Sequence, residues 1–168
     1  MNLTCRPAIP ADASAMAEML NRIITAGGTT AHQSLFDAER MLGHYIAPPL
    51  AISCFVSLLG DRIVGFQALE RADPDWQGEG RLPDDWAVIA TFVADGNRGL
   101  GVGRGLFTQS LEAARKCGVK AIDATIRADN ALGLGYYSKM GFADRAVIKD
   151  VSLRDGTRID RVQKVFWI

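Results

Sequence analysis

The chain has 168 residues, 48% of them apolar and 23% charged, a composition typical of one globular domain with a sizeable core. Its 19 basic residues balance its 19 acidic ones, so it lacks the basic surface of a protein that mainly binds nucleic acid. No apolar run approaches the ~20 residues of a membrane span, and the first residues do not resemble a secretory signal. We therefore expect neither a nucleic-acid nor a membrane partner and, by elimination, a cytoplasmic protein.

The cysteines and histidines do not form a metal-binding pattern. Cys5, Cys54 and Cys117 are odd in number, far apart and not in a CxxC pair. His32 and His44 do not complete a metal-ligand spacing with them. We expect structural thiols and no metal.

The first part of the chain is predicted to form a strand and two helices. Residues 3–8 read as the strand, and Asp12 is placed to cap the helix that follows, which Gly27 ends. Residues 34–37 resemble a capping box that opens a second helix, which ends at the prolines of 48–49.

The middle of the chain is predicted to be β-rich. Residues 52–59 and 63–69 read as a hairpin around 60–62. Residues 73–85 are polar and read as an exposed loop. Residues 86–93 are almost wholly apolar, which is typical of a strand buried on both faces.

The last part of the chain follows a glycine-rich turn. The pattern predicts a helix that Gly118 ends, a strand at 120–126 and a short helix at 130–140. Residues 142–153 and 158–168 then read as a final hairpin. A mixed sheet flanked by helices is the natural packing of this order.

The glycine-rich turn, residues 93–105, has the chemistry of a phosphate site. Glycine lets a ligand approach the main chain, and N–H groups converge at a helix N-terminus, where the dipole also favours an anion. A dinucleotide fingerprint fails, because the last glycine position falls on Arg104 or Leu106. A nucleotide triphosphate loop fails for lack of a lysine. A tight turn without a ligand remains the structural alternative.

Two motifs resemble those of the GNAT superfamily of CoA-dependent N-acyltransferases. The turn contains Arg98-x-x-Gly101-x-Gly103, similar to the family's Arg/Gln-x-x-Gly-x-Gly/Ala motif. Downstream, Asn130 is followed by the run 137–142, Tyr-Ser-Lys-Met-Gly-Phe, which resembles the family's second motif. The opening strand with Asp12 is also similar, so the resemblance covers essentially the whole chain. The region 27–30 and the element order look most like the phosphinothricin and small amino-acid acyltransferases.

The resemblance implies a single GNAT N-acetyltransferase domain over residues 1–168. Its fold class is α/β (α+β), with a mixed, mostly antiparallel sheet of about seven strands, splayed at the centre and flanked by about four helices.

The resemblance also implies an acetyl-CoA site. The pantetheine arm would fill the splayed gap beside residues 91–93, with the Val93 N–H stabilising the oxyanion, and the amides of 99–104 would hold the diphosphate. Arg98 and Arg104 would add charge-assisted bonds, although a solvated arginine is the commoner state. The residues implied to bind the cofactor are Thr91, Phe92, Val93, Arg98, Gly99, Leu100, Gly101, Val102, Gly103, Arg104, Asn130 and Tyr137.

Two of these residues have structural alternatives. Asn130 is implied to touch the cofactor, but it is also a good helix N-cap. Tyr137 is implied to protonate the departing CoA thiolate, since a phenol with a pKa near 10 is still protonated at neutral pH. The alternative for Tyr137 is a core aromatic, the role expected of its neighbour Tyr136.

Two departures from the family pattern stand out. Gly133 and Gly135 lie inside a predicted helix, where they either admit the cofactor or fray the helix. Val88 stands near the position where many relatives carry a glutamate that helps to deprotonate the amine.

The general base is therefore open. Asp84 or Asp85 acting through water, His32, a chain of waters and an amine that arrives neutral are all candidates.

The implied function is transfer of an acetyl group from acetyl-CoA to the primary amine of a small molecule, an amino acid or a similar compound. The amine attacks directly in a ternary complex, with no metal and no covalent enzyme intermediate. A protein or peptide N-acetyltransferase and a non-catalytic CoA-binding sensor are the alternatives. The sequence leaves open a homodimer, and with it whether the loop at 27–34 serves its own site or a partner's.

Overall fold

The computed structural model describes residues 2–168, and within them seven strands form one mixed sheet in the order β1-β2-β3-β4-β5-β7-β6. The strands are β1 (Leu3–Pro7), β2 (Ala51–Leu59), β3 (Arg62–Arg71), β4 (Trp86–Val93), β5 (Ala121–Arg127), β6 (Ala143–Ser152) and β7 (Arg158–Trp167). The α-helices are α1 (Ala13–Ala26), α2 (Ala38–Met41), α3 (Val102–Lys116) and α4 (Ala131–Met140). A 3₁₀ turn at Pro10–Asp12 precedes α1, and a π-helical turn at Leu42–Ile46 continues α2.

The helices cover the two faces of the sheet in separate layers. On one face, α1 and α2 bury Met16, Leu20 and Met41 against Phe66 of β3. On the other face, α3 and α4 pack over the strands, and Phe107 of α3 packs there against Phe142 and Phe166. The predicted mixed sheet with helices on its faces is confirmed. Within residues 2–168, no helix is long and apolar enough to cross a membrane.

The start of the first helix differs from its prediction. Asp12 does occupy the N-cap position of α1, but its carboxylate makes no capping bond to the helix. It accepts instead from the Ile9 N–H at 2.9 Å and from two nitrogens of Arg6 at 2.7 and 2.9 Å. The carboxylate therefore ties the end of β1 to the turn before the helix.

The second helix begins later than the capping-box pattern predicts. Its N-cap is Asp37, whose Oδ1 accepts from the Arg40 N–H at 2.7 Å, and not Ser34. The reason is a pair of hydrogen bonds from α1. The amide of Asn21 on α1 bonds both the N–H and the C=O of Phe36, each at 2.8 Å, so these groups are not available to a helix.

The sheet splays between its two central strands. β4 and β5 run parallel, and only Trp86–Val88 pairs with Ala121–Asp123. Beyond these pairs the strands separate, while β4 remains paired to β3 along its whole length. We call the space between the carboxyl-terminal parts of β4 and β5 the gap.

The pairing of β3 with β4 determines which backbone groups face the gap. The bonds Ala94 N–H to Val64 O and Ala72 N–H to Trp86 O show which residue pairs of this antiparallel ladder are hydrogen-bonded. Because such pairs alternate along an antiparallel ladder, the N–H groups of Thr91 and Val93 point away from β3 and into the gap.

Gly65 on β3 sets how closely α3 approaches the sheet. A Cβ at this position would lie 2.7 Å from Val102 Cγ1 and 3.1 Å from the carbonyl oxygen of Phe92. We predict that Gly65→Ala lowers the free energy of unfolding by about 1–3 kcal/mol, because the first turn of α3 must move outwards. Urea denaturation measures this change.

Gly43→Ala is the control for that experiment. A Cβ on Gly43 would have no atom within 4 Å, and the residue lies in a helical turn, so alanine should leave stability unchanged or raise it slightly. Equal unfolding midpoints for Gly65→Ala and the unaltered protein would contradict the close-packing argument.

Candidate active site

The glycine-rich turn presents free N–H groups at the start of α3. Gly99 and Gly101 have φ of 81° and 87°, values that residues with a Cβ rarely adopt. The first helical bond runs from the Gly105 N–H to the Gly101 O at 2.9 Å. The N–H groups of 102–104 therefore have no partner within the helix. They lie at the end of the short turn that follows the carboxyl end of β4, the strand that borders the gap. This arrangement is suited to binding an anionic group.

Packing against Tyr136 also explains why residue 103 is a glycine. A Cβ there would lie 2.5 Å from Cε2 of Tyr136, and the Tyr136 hydroxyl donates to the Gly103 carbonyl at 2.8 Å. The absence of a side chain thus lets α4 pack against the first turn of α3.

Both arginines of the turn and Leu100 lie at the surface. Arg98 Nη2 lies 2.9 Å from Asp95 Oδ1, and Arg104 and Leu100 are exposed. Asn97 is the buried polar residue of the turn, and its Nδ2 donates to the Asp95 carbonyl at 3.1 Å. Its burial stabilises the turn, and no motif in the sequence points to it.

A chain of hydrogen bonds crosses the sheet beside the gap. Gln67 on β3 is fully buried, and its Nε2 donates to Thr91 Oγ1 at 2.8 Å and to the Tyr136 hydroxyl at 3.1 Å. Thr91 Oγ1 in turn lies 2.9 Å from the Tyr137 hydroxyl. We call Gln67, Thr91, Tyr136 and Tyr137 the tyrosine network. A glutamine inside an apolar strand needs such partners, which is the one signal by which the sequence could have revealed Gln67.

The two tyrosines of α4 have different surroundings. Burial raises the pKa of Tyr136 to about 12, and its hydroxyl already donates to the Gly103 carbonyl. Burial also raises the pKa of Tyr137, against a smaller lowering from its bond to Thr91, so the phenol stays protonated near neutral pH. Tyr137 therefore holds a proton next to the strand whose N–H groups face the gap.

Asn130 caps α4 and holds a loop. Its Oδ1 accepts from the Gly133 N–H at 3.0 Å, and its Nδ2 donates to the Thr29 carbonyl at 3.1 Å. A Cβ on Gly133 would lie 2.5 Å from that Nδ2, so this glycine makes room for the cap. Gly135 has nothing within 4 Å of its Cβ position, and the helix continues through both glycines.

The loop at residues 27–34 lies against its own chain and spans the gap. Arg127, at the end of β5, donates to the Thr30 carbonyl at 3.0 Å, and the Asp155 N–H donates to Gln33 Oε1 at 2.8 Å. On the other side of the gap, the ring of His32 lies 6.4 Å from the ring of Phe92 on β4. The loop therefore forms a wall on the face of the sheet opposite α3.

His32 is a poor general base, contrary to its candidacy from sequence. Its Nε2 lies 2.6 Å from the Tyr45 hydroxyl, and burial, with the charges of His44 and Arg40, lowers its pKa to about 4. An imidazole with that pKa is neutral at pH 7 and holds a proton weakly.

Asp84 and Asp85 also lie away from the gap. Both are exposed and precede β4, and the Asp85 carbonyl accepts from the Lys120 N–H at 2.9 Å, next to the paired segment. They therefore lie at the start of the paired segment of β4 and β5, at the end opposite to the gap. Val88 lies at the last paired position, opposite Asp123 of β5.

Comparisons with known proteins agree with this geometry. The model of the acetyltransferase (GNAT) family matches residues 16–142. The chain is 26% identical over 162 residues to an L-methionine sulfoximine/L-methionine sulfone acetyltransferase of Salmonella typhimurium, covering 94% of this chain and 90% of the relative. It is 24% identical over 159 residues to an L-amino acid N-acyltransferase of Escherichia coli, with the same coverage of 94% and 90%.

A similar fold is found in a phosphinothricin acetyltransferase of Sinorhizobium meliloti, whose structure was solved in complex with acetyl-CoA. The TM-score is 0.81 at 15% identity, over 100% of this chain and 89% of that one. The family match covers more than half of the sequence, which confirms the resemblance of its two motifs. This chain thus belongs to the acetyltransferase (GNAT) family and is an acyl-CoA-dependent acetyltransferase.

Proposed function

We propose that this enzyme transfers an acetyl group from acetyl-CoA to the primary amine of a small, amino-acid-like acceptor, with both substrates bound together. The observation that carries the proposal is the gap, into which the N–H groups of Thr91 and Val93 point. The names of two relatives, one for methionine sulfoximine and methionine sulfone and one for L-amino acids, support the acceptor class.

The donor would lie along β4 with its diphosphate at the start of α3. The pantetheine amides would pair with the backbone at 91–93 as a further strand would, and the N–H groups of 102–104 would bind the phosphate oxygens. Arg98 and Arg104, both exposed beside the turn, add positive charge there.

The reaction then needs one electrostatic contact and one acid. As the amine nitrogen attacks the thioester carbon, the carbonyl oxygen becomes negative and accepts a hydrogen bond from the Val93 N–H. The carbon–sulfur bond breaks, and the sulfur takes the proton of Tyr137. When the Thr91 hydroxyl donates to the Tyr137 oxygen, the phenol proton is free for the sulfur, and the same bond stabilises the phenolate that forms.

The position of the loop at 27–34 across the gap favours a small acceptor over a protein. The loop at 27–34 is bonded to β5, to the start of α4 and to the β6–β7 turn, which encloses the face where the amine would bind. A protein acceptor would need an open, acidic groove at this place.

We predict that Tyr137→Phe lowers kcat about 100-fold or more and leaves the KM for acetyl-CoA nearly unchanged, because the variant removes only the proton donor. Steady-state release of free CoA measures both constants.

Tyr136→Phe is the matched control for the general acid. It removes the neighbouring hydroxyl and its bond to Gly103, so we expect a loss of stability of about 1 kcal/mol with kcat changed only a few-fold. Unaltered turnover in Tyr137→Phe would exclude the general-acid role.

We predict that Gly101→Ala raises the KM for acetyl-CoA about tenfold but leaves the KM for acetyl-pantetheine, which has no diphosphate, unchanged. An alanine at its φ of 87° costs about 1–2 kcal/mol, which displaces the turn. Gly80→Ala, at a φ of 75° in an exposed loop, carries the same backbone penalty and should change neither constant. Equal effects of Gly101→Ala on both donors would contradict diphosphate binding at the turn.

Acetyl-CoA-dependent thiol release against a panel of acceptors tests the proposed function itself. We expect selective release with amino acids or analogues such as methionine sulfoximine, and little with polyamines, aminoglycosides or short peptides. Release with peptides alone would favour a protein acceptor. Tight binding of acetyl-CoA with no release on any amine would instead support a CoA-binding sensor.

A further inference from the structure

Val88 is flanked by two carboxylates that no motif in the sequence indicates. It pairs with Glu70 of β3 on one side and with Asp123 of β5 on the other. Residues paired across neighbouring strands point to the same face of a sheet, so the three side chains form a row. The apolar residue at 88 therefore has an acidic neighbour on each side.

Asp123 lies where the gap begins. It is the last residue of β5 that pairs with β4, so the strands separate immediately beyond it. Its neighbours Ile122 and Ala124 pack in the cluster on the α3 and α4 side. Because strand side chains alternate, Asp123 points to the opposite face, where the loop at 27–34 forms the wall. On that same face, Thr125 is exposed, so the face opens to solvent beside Asp123.

The Asp123 carboxylate is buried without a cation. It is only 4% exposed; its oxygens accept from Gln163 Nε2 at 2.6 Å and from Thr125 Oγ1 at 3.0 Å. No ion pair in residues 2–168 includes Asp123. Burying a carboxylate in this way is costly, and a fold keeps such a group most readily where it has a use.

One other ionisable group, Arg145 of β6, acts on Asp123. Its guanidinium lies 4.8 Å from the centre of the Trp86 ring and favours the charged carboxylate. Tyr137 packs in the cluster on the other face of the sheet and stays uncharged near neutral pH. On the flanking strands, Val88 and Val165 pair with Asp123, and Gln163 reaches it with its side chain; all three are uncharged. Burial is the largest effect and raises the pKa of the Asp123 carboxyl above its ordinary value, against smaller lowering by the hydrogen bonds from Gln163 and Thr125 and by Arg145.

Glu70 is less well placed than Asp123 to contact a substrate in the gap. It lies on β3, one strand farther from the gap, and it lines a small cavity with His44 and Pro48. Asp123 belongs to a strand that borders the gap.

We propose that Asp123 binds the acceptor amine at the closed end of the gap and accepts its proton, in place of a carboxylate at position 88. This rests on the proposed function. As the bond between the amine nitrogen and the acetyl carbon forms, an N–H proton moves to a carboxylate oxygen of Asp123. The carbon–sulfur bond breaks, and the sulfur takes the proton of Tyr137. Both protons then exchange with water, which restores the enzyme.

The test compares Asp123→Asn with Glu70→Gln, using acetyl-CoA and the best acceptor of the panel. We expect Asp123→Asn to lower kcat about 100-fold or more and to remove the acidic limb of the kcat/KM–pH profile. That limb reflects loss of activity as the pH falls through the pKa of the carboxylate. Glu70→Gln should change kcat less than about threefold and keep the limb.

Two further measurements separate chemistry from folding. Acetyl-CoA binding by calorimetry should be the same for Asp123→Asn and the unaltered enzyme. Adding Val88→Glu to Asp123→Asn should restore part of kcat, because it returns a carboxylate to the neighbouring strand.

Full kcat and an intact acidic limb in Asp123→Asn would overturn the proposal, and loss of both in Glu70→Gln alone would assign the role to Glu70. If the unaltered enzyme acetylates no amine, the proposed function fails as well. Normal turnover in both the unaltered enzyme and Asp123→Asn would exclude the role of Asp123 and leave the proposed acetyl transfer in place.

Discussion

The early end of the β4–β5 pairing is the constraint on which the site depends. The strands pair over three residues, and beyond them β4 faces the gap with backbone groups that β3 does not bond. Unpaired backbone groups inside a protein cost about as much as a lost hydrogen bond, so they favour a ligand that supplies partners. A flexible chain with amides, such as pantetheine, can do so along its length.

The two faces of the sheet give the gap two different borders. On one face, the tyrosine network joins β3 and β4 to α4, and Tyr136 extends it to the first turn of α3. That face places a protonated phenol near the site proposed for the sulfur. On the other face, the loop at 27–34 and Asp123 border the space proposed for the amine. The proposed acid and the proposed base thus lie on opposite faces of the sheet.

Much of the fold and of the proposed donor site was accessible from sequence because its signals are local. The element order, the glycine turn, the cap at Asn130 and the position of Tyr137 depend on spacing within short segments. The later start of α2 was not accessible, since it depends on a bond from Asn21 on another helix. The low pKa of His32 depends on burial among distant rings, and the place of Asp123 depends on the register of two strands separated by α3.

A crystal structure with bound acetyl-CoA would show directly whether the gap holds the donor. We expect the pantetheine arm between β4 and β5, the thioester oxygen within about 3 Å of the Val93 nitrogen, and the diphosphate on the N–H groups of 102–104. The Tyr137 hydroxyl should lie on the sulfur side of the thioester. A cofactor bound outside the gap, or a thioester oxygen directed away from Val93, would exclude the proposed donor site.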